Sequence, residues 1–249
     1  MWNPFSKKLG NSNGQQHSDE SILKERIFFE ALERKRQEDP LIGAKIGSKE
    51  VFNRLIELMK KIDTKGIHAE TLLGILGTLG GYSCQASIRE EFVTEKGISE
   101  RKVFLIVECA DGSQYYFGDM VNKPLVESQY SVWSLAAGVV QHLGAKNFID
   151  IKEVFMYVTQ TVGSNQFGIP RLPEGHNLGD VPKNFLKHLW PVYLPVAKQF
   201  CPASEWPILF GMAVQEGITF CKDIIDPLLA LSIVMECAVP MSKIDFKSL

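Results

Sequence analysis

The most continuous run of apolar and small residues in the chain extends from Ile67 to Phe92, IHAETLLGILGTLGGYSCQASIREEF. At helical spacing, leucines occupy one side of this segment, and small residues recur at intervals of three and four on another side. The leucines are Leu72, Leu73, Leu76 and Leu79, and the second side consists of Glu70, Gly74, Gly77, Gly81 and Cys84. Glycine inside a helix costs about 1 kcal/mol relative to alanine, so we expect a second helix to pack closely here and offset the loss.

A second stripe of small residues lies on a helix that the pattern predicts from Ser128 to about Leu143. This stripe consists of Ser131, Ser134, Gly138 and Gln141, opposite the apolar residues Trp133, Ala136, Val140 and Leu143. We therefore predict that the helices around Gly77 and Ser134 lie against each other. Their separation should be less than the usual interaxial distance of about 8 to 10 Å.

The glycines of GILGTLGGYS also allow a different interpretation, a phosphate-binding loop. Their spacing matches neither GxGxxG nor GxxxxGK[ST], and no hydrophobic strand precedes them. No Lys-Ser or Lys-Thr pair closes the segment. Helix packing is therefore the better explanation of these glycines.

The N-terminal part of the chain divides into a polar segment and two amphipathic segments. Residues 1–17 are rich in Asn, Gly, Gln and Ser, a composition that predicts a disordered tail. A first helix is expected from Ser18 or Ser21 to about Gln37, and a second from a cap at Ser48 to about Ile62. We expect residues 18–66 to form a helical hairpin that packs on a core made by residues 67–249.

After the central segment the apolar pattern changes to a period of two. RKVFLIVEC at 101–109 alternates, and Asp111-Gly112 separates it from SQYYFGD. An Asp-Gly pair between two such runs is a strong signal for a β-hairpin. We predict an antiparallel hairpin at residues 101–119, lying against helices because a hairpin alone is marginal in water.

The remaining chain reads as helices with one long interruption. Helices are expected at 150–162, after Pro182 with a kink or break at Pro191 and Pro195, from about Ser204, and at 226–240. The last two are apolar over most of their surface, so Glu216 and Glu236 either lie on a narrow exposed edge or meet an arginine or backbone donors. The predicted fold is therefore mainly α, with about eight helices and one inserted β-hairpin.

The long interruption at 164–182 carries the best candidate site. Its three glycines and three prolines exclude regular structure, and loops of this length in a compact domain are usually functional or disordered. Arg171, Glu174 and His176 supply an anion-binding group, a base and a group that titrates near neutral pH. The alternative is a solvated loop whose charges only keep it at the surface.

Three residues elsewhere could complete a pocket with that loop. Gln85 and Arg89 lie at the end of the central segment, although this end can also be a core helix that emerges into solvent. His142 lies near the end of the 128–143 helix, where an imidazole can also act as a helix cap.

Composition narrows the classes of partner and cofactor. The formal net charge is -2 and no basic stripe is present, so neither nucleic acid nor an anionic membrane is favoured. The five cysteines include no CxxC motif and the histidines no HExxH motif, so we expect no metal, no cofactor and reduced thiols in a cytoplasmic protein. No apolar run approaches the 18 residues or so of a transmembrane helix, and the first 20 residues lack the apolar core of a signal peptide.

Two functional hypotheses follow. The first is a cytoplasmic binding or protein-interaction module of undetermined ligand, whose exposed site involves the 164–182 loop and the hairpin. The alternative is an enzyme that acts on a small anionic metabolite, with Arg171 holding the anion and Glu174 or His176 transferring a proton. An enzyme requires a deep pocket where these groups converge, whereas an interaction protein requires an exposed apolar surface. A homodimer that buries the hairpin edge or the first helices is a third interpretation.

Overall fold

A computed structural model describes residues 19–64 and 66–249, so the predicted disordered tail at 1–17 lies outside the described residues. The described chain is mainly helical and contains one antiparallel two-stranded sheet, which confirms the predicted fold class. The elements are α1 (Asp19–Arg36), α2 (Ile42–Ile62), α3 (Ala69–Ile88), α4 (Glu100–Val103), β1 (Leu105–Glu108), β2 (Gln114–Phe117), α5 (Asp119–Asn122), α6 (Val132–His142), α7 (Ile151–Thr161), α8 (Pro182–Phe200), α9 (Trp206–Cys221) and α10 (Pro227–Met241). No helix of the described residues combines the length and apolar character needed to cross a bilayer.

Helix α3 is the centre of the molecule. All of its residues through Ser87 are buried except Glu70, and it packs against α8, α9 and α10. Its leucine side faces α9, where the side chains of Leu73 and Leu76 lie over Gly217. A helix surrounded in this way needs apolar or small residues on every side, which is the composition of the segment.

The small-residue side of α3 packs on α10 and not on α6. A Cβ atom added to Gly77 would lie 2.9 Å from the Cα atom of Val234, and one added to Gly81 would lie 2.5 Å from that of Ala238. The predicted contact between the Gly77 and Ser134 stripes is therefore wrong. Helix α10 is apolar around its circumference, so it gains more than α6 from burial against α3.

The small residues of α6 have a local role instead. Ser131 is the N-cap and accepts a hydrogen bond from the backbone N–H of Ser134 at 3.1 Å. The Ser134 hydroxyl donates to the carbonyl of Ser128 at 3.0 Å, and Gly138 faces open space. The serines thus satisfy the unpaired groups at the start of this helix.

Helix α2 begins before the predicted cap. Asp39 accepts a hydrogen bond from the backbone N–H of Leu41, and the helix starts at Ile42. Ser48 is buried inside the helix and donates its hydroxyl to the carbonyl of Lys45, so its prediction as the N-cap is wrong. The absence of a side chain at Gly43 lets α2 lie directly against the backbone of Phe200.

The hairpin is shorter than its alternating pattern. Residues Glu100–Val103 form a helical turn, so β1 begins at Leu105 and pairs with β2 in the register Leu105 opposite Phe117. Gly112 adopts a φ of 84° in the connecting turn, a conformation that favours glycine. The hairpin lies against helices and the long loop, as its marginal stability in isolation requires.

The outer edge of β2 is covered by the C-terminal segment. Tyr115 forms a β-bridge with Ile244, and the backbone N–H of Tyr116 donates to the carbonyl of Lys243 at 2.7 Å. Within the described ranges no segment pairs with the outer edge of β1. The hairpin therefore presents one covered and one open edge.

Candidate functional site

The 164–181 loop contains no helix or strand, and it packs along the molecule at several points. Phe167 is buried and its ring lies 4.6 Å from that of Tyr115 in the hairpin. Leu178 covers Gly74 of α3, and the backbone N–H of Gly179 donates to the Thr71 hydroxyl at 2.8 Å. The loop therefore connects the hairpin side of the molecule with the N-terminal end of α3.

Arg171 is occupied by a buried carboxylate of the same chain. Its Nη2 atom donates to Oε1 of Glu236 at 2.6 Å, and its backbone N–H donates to Oε2 at 3.2 Å. The Glu236 side chain is only 6% exposed, so the second of the two alternatives for this residue, contact with an arginine and a backbone donor, is the correct one. The guanidinium also lies over the ring of Tyr157, and its hydrogen bonds with Glu236 raise the pKa of Arg171. An incoming anion would have to compete with this carboxylate.

His176 and Glu70 form a second attachment of the loop, at the start of α3. Nδ1 of His176 donates to Oε1 of Glu70 at 2.9 Å, and Nε2 of His68 lies 3.5 Å from Oε2. His68 is also the N-cap of α3, where its Nδ1 accepts from the backbone N–H of Thr71. Burial acts to raise the pKa of Glu70, but the His176 hydrogen bond and the neighbouring histidines hold it below its ordinary value. Glu174, the third member of the predicted trio, is exposed.

Glu70→Gln is expected to make unfolding less sensitive to acid. A depressed folded pKa means that the charged carboxylate stabilises the protein fully above about pH 4.5, and that this contribution is lost as the pH falls through the folded pKa. We expect the loss to be about 1 kcal/mol or less, because the site is partly solvated. Urea unfolding of wild type and variant at neutral and acidic pH measures it. Glu174→Gln is the matched control, and an equal effect of both variants would contradict the assignment.

Gln85 and Arg89 lie at the opposite end of α3. Gln85 is buried, and its Nε2 donates to the carbonyl of Ser242 at 3.3 Å, while its Oε1 has no partner within the described residues. Arg89 forms an ion pair with Glu100 and lies over the ring of Tyr116 at 4.5 Å. Both residues therefore attach α3 to the hairpin region and the C-terminal segment.

The structure does not bring the predicted site residues together. Glu70, the partner of His176, and Arg89 are separated by almost the whole of α3, about 28 Å at 1.5 Å per residue. His142 is exposed at the end of α6. Next to it lies a half-open depression of about 160 Å³, lined by Leu143, Gly144, Ala145, Asp226, Pro227 and Leu228. Asp226 is the N-cap of α10, so the one ionisable group of this depression already has a structural role.

Lys243 is a buried polar residue that the sequence pattern did not single out. Its side chain lies among Phe117 and Phe155, with Nζ 5.7 and 5.5 Å from the two ring centroids, and it donates to Oδ1 of Asn122 at 2.6 Å. Burial lowers the pKa of Lys243 to about 8. Its position in the sequence, SKIDF, resembles a solvated chain end, so only the packing of the C-terminal segment on β2 reveals its burial.

The direction of the backbone groups of β1 follows from the register. Cys109 donates its backbone N–H to the carbonyl of Ser113, so the groups of Cys109 point toward the second strand. Because the direction alternates along an antiparallel strand, Val107 and Leu105 also point inward, whereas Ile106 and Glu108 point outward. The backbone groups of Ile106 and Glu108 accordingly form the open edge of the sheet.

The side chains along this edge are apolar in the middle and charged at the ends. Leu105 is 66% exposed and Val107 is 36% exposed. Both lie on the sheet face that carries Tyr115 and Phe117, their cross-strand partners. Arg101 precedes these two apolar residues and Glu108 follows them, and the two charged side chains form an exposed ion pair at 2.8 Å. An exposed leucine on an unpaired strand edge is unusual, because natural edges are generally covered or protected by charge.

No family model, curated protein sequence or solved structure matches the chain in comparisons of all three kinds. Within the residues that the structure describes, no group of three or more His, Cys, Asp or Glu side chains is placed to hold a metal ion. The five cysteines are all free thiols.

Proposed function

We propose that the protein is a protein-interaction module that binds an extended peptide segment along the open edge of β1. The observation that carries the proposal is the combination of outward backbone groups at Ile106 and Glu108 with the exposed side chain of Leu105. In strand addition, backbone hydrogen bonds provide affinity and alternate side chains provide specificity. Both kinds of contact are available on this edge.

The rest of the molecule supports the proposal because it holds the hairpin in place. The opposite edge is paired with the C-terminal segment, and Phe167 of the long loop packs on Tyr115. The Arg171 to Glu236 contact in turn fixes that loop on α10. A strand presented by a rigid support loses less conformational entropy when a partner binds. In this proposal the long loop acts on the interaction site indirectly, by supporting the hairpin.

A cytoplasmic location belongs to the same proposal. Its support is that all five cysteines are free, which suits a reducing compartment. Burial raises the pKa of Cys84 to about 12 and that of Cys221 to about 11, so these thiols are poor nucleophiles at neutral pH. Burial therefore favours a structural role for these two cysteines. The proposed peptide partner binds without reacting with a thiol.

Ile106→Pro is expected to abolish peptide binding without unfolding the protein. Its N–H points away from β2, so the substitution removes an outward donor and leaves the β1–β2 ladder intact. The probe is a set of peptides selected from a random display library on the wild-type protein. Their affinity for wild type and for Ile106→Pro can be compared by biolayer interferometry.

Two further variants make this test specific. Ile106→Val keeps the N–H and should retain binding, whereas Val107→Pro removes an inward donor and should lower the unfolding temperature by several degrees. Peptides that bind Ile106→Pro as tightly as wild type would show that they use another surface. A library selection that yields no peptide sensitive to Ile106→Pro would count against the proposed function.

A further inference from the structure

We propose that the occupant of the β1 edge is a second copy of this chain, paired antiparallel to the first about a two-fold axis at Ile106. This inference rests on the proposed function and names the partner at the same edge. It follows from the self-complementarity of β1 in backbone direction, side chains and charge.

The backbone geometry selects the register. The chain is extended from Phe104, at φ -120° and ψ 147°, through Glu108. A two-fold axis at Ile106 pairs each of these residues with a residue of the same extended segment in the second copy. Ile106 then exchanges both of its outward backbone hydrogen bonds with Ile106 of the second copy. A shift of the axis by one residue in either direction would leave an extended residue unpaired.

The same register pairs the exposed apolar side chains with each other. Leu105 of one copy lies opposite Val107 of the other, and the arrangement repeats on the far side of the axis. Directly opposed side chains on one face of an antiparallel pair have Cβ atoms about 5 Å apart, which is contact distance. The exposed leucine of each copy therefore becomes covered by an apolar side chain.

The charges of two copies of the strand are also complementary when the copies lie antiparallel. Arg101 and Lys102 precede β1 and are exposed, whereas Glu108 ends it and Asp111 follows in the turn, also exposed. Antiparallel pairing brings the basic end of one strand near the acidic end of the other. The pair between Arg101 and Glu108 can then be exchanged for equivalent pairs between copies, with no charge left unmatched.

The expected association is weak. A pair of short strands buries less than the 1,200 Å² or so that is typical of stable interfaces. Wild-type protein should therefore be largely monomeric at micromolar concentration and increasingly dimeric toward millimolar concentration in sedimentation velocity experiments. Ile106→Pro should remain monomeric throughout this range, and Ile106→Val should associate like wild type.

A charge-reversal experiment tests the antiparallel arrangement independently of Ile106. Glu108→Lys makes both ends of the strand basic, and Arg101→Glu with Lys102→Glu makes both ends acidic. Each variant alone should associate less than wild type, and an equimolar mixture should regain association as a heterodimer. A mixture that associates no better than its components would overturn the inference.

The remaining outcomes separate this inference from the proposed function. Wild-type protein that stays monomeric at millimolar concentration, or a dimer that persists in folded Ile106→Pro, overturns the self-pairing. If library peptides still bind in a way that depends on the Ile106 N–H, the edge is an interaction site for a different polypeptide. If neither self-association nor such peptide binding occurs, both proposals fail.

Discussion

Gly77→Ala is expected to destabilise the protein by about 3 kcal/mol, although alanine favours a helix by about 1 kcal/mol over glycine. The added Cβ atom would lie 2.9 Å from the backbone Cα atom of Val234, so the two helices would have to move apart. Separation of α3 from α10 loosens contacts along the whole interface, because protein interiors are close-packed. Gly77→Leu should prevent folding. Urea unfolding followed by circular dichroism measures the free energy of unfolding of each variant.

The chain provides matched controls for this experiment. Gly138 lies in α6 with nothing near the position of its added Cβ atom, so Gly138→Ala should raise the free energy of unfolding by about 0.4 to 1 kcal/mol. Gly80→Ala in α3 itself would place its Cβ atom 3.4 Å from a side-chain carbon of Val132, an ordinary contact, and should be tolerated. If Gly77→Ala were as stable as Gly138→Ala, close approach of α10 could not be the reason for glycine at this position.

Arg171→Ala is also expected to destabilise the protein by about 3 kcal/mol, because it leaves the buried carboxylate of Glu236 without its charged partner. The Arg171 side chain is 35% exposed, which places this value at the lower end of the range for buried pairs. Glu236→Met in the same chain should recover most of the loss, since an apolar side chain of similar volume needs no partner. Thermal and urea unfolding of the single and double variants form the required cycle.

Glu153→Ala is the control for that cycle. Glu153 also contacts Arg171, at 3.3 Å, but its side chain is largely exposed, and exposed ion pairs contribute about 0.2 to 1 kcal/mol. Arg171→Ala should therefore cost several times more than Glu153→Ala. Equal losses, or no recovery by Glu236→Met, would mean that Arg171 stabilises the loop by contacts other than the buried pair.

Local sequence features predicted the elements that depend on near neighbours. Asp226 caps α10 and Asp150 caps α7, in agreement with the helix-start signals at these residues. The alternating run at 101–109 and the Asp111-Gly112 turn after it specify the hairpin. These features act within one helical turn or one hairpin, so they can be derived from residues adjacent in the chain. The local signals failed at Ser48, where packing of α2 on Phe200 extends the helix backward.

Local sequence features did not predict the contacts of the candidate site. Arg171 and His176 were predicted as ligand-binding groups, and the structure pairs them with carboxylates of the same chain. These carboxylates, Glu236 and Glu70, are 65 and 106 residues away in sequence. The edge of β1 is open because the C-terminal segment pairs with β2 instead. The charge and the spacing of a residue describe only one member of a contact, so they do not identify its partner.

The amino-acid sequence by itself determined a mainly helical protein with one hairpin, a buried glycine-rich helix at its centre and a long loop without regular structure. Only the tertiary structure decided that α10, and not α6, lies against those glycines, and that Arg171 neutralises Glu236. The physical reason is that hydrophobic periodicity specifies which face of an element is buried but leaves open what covers it. The covering partner is selected by the burial and close packing of all the elements together, and this selection leaves the edge of β1 exposed.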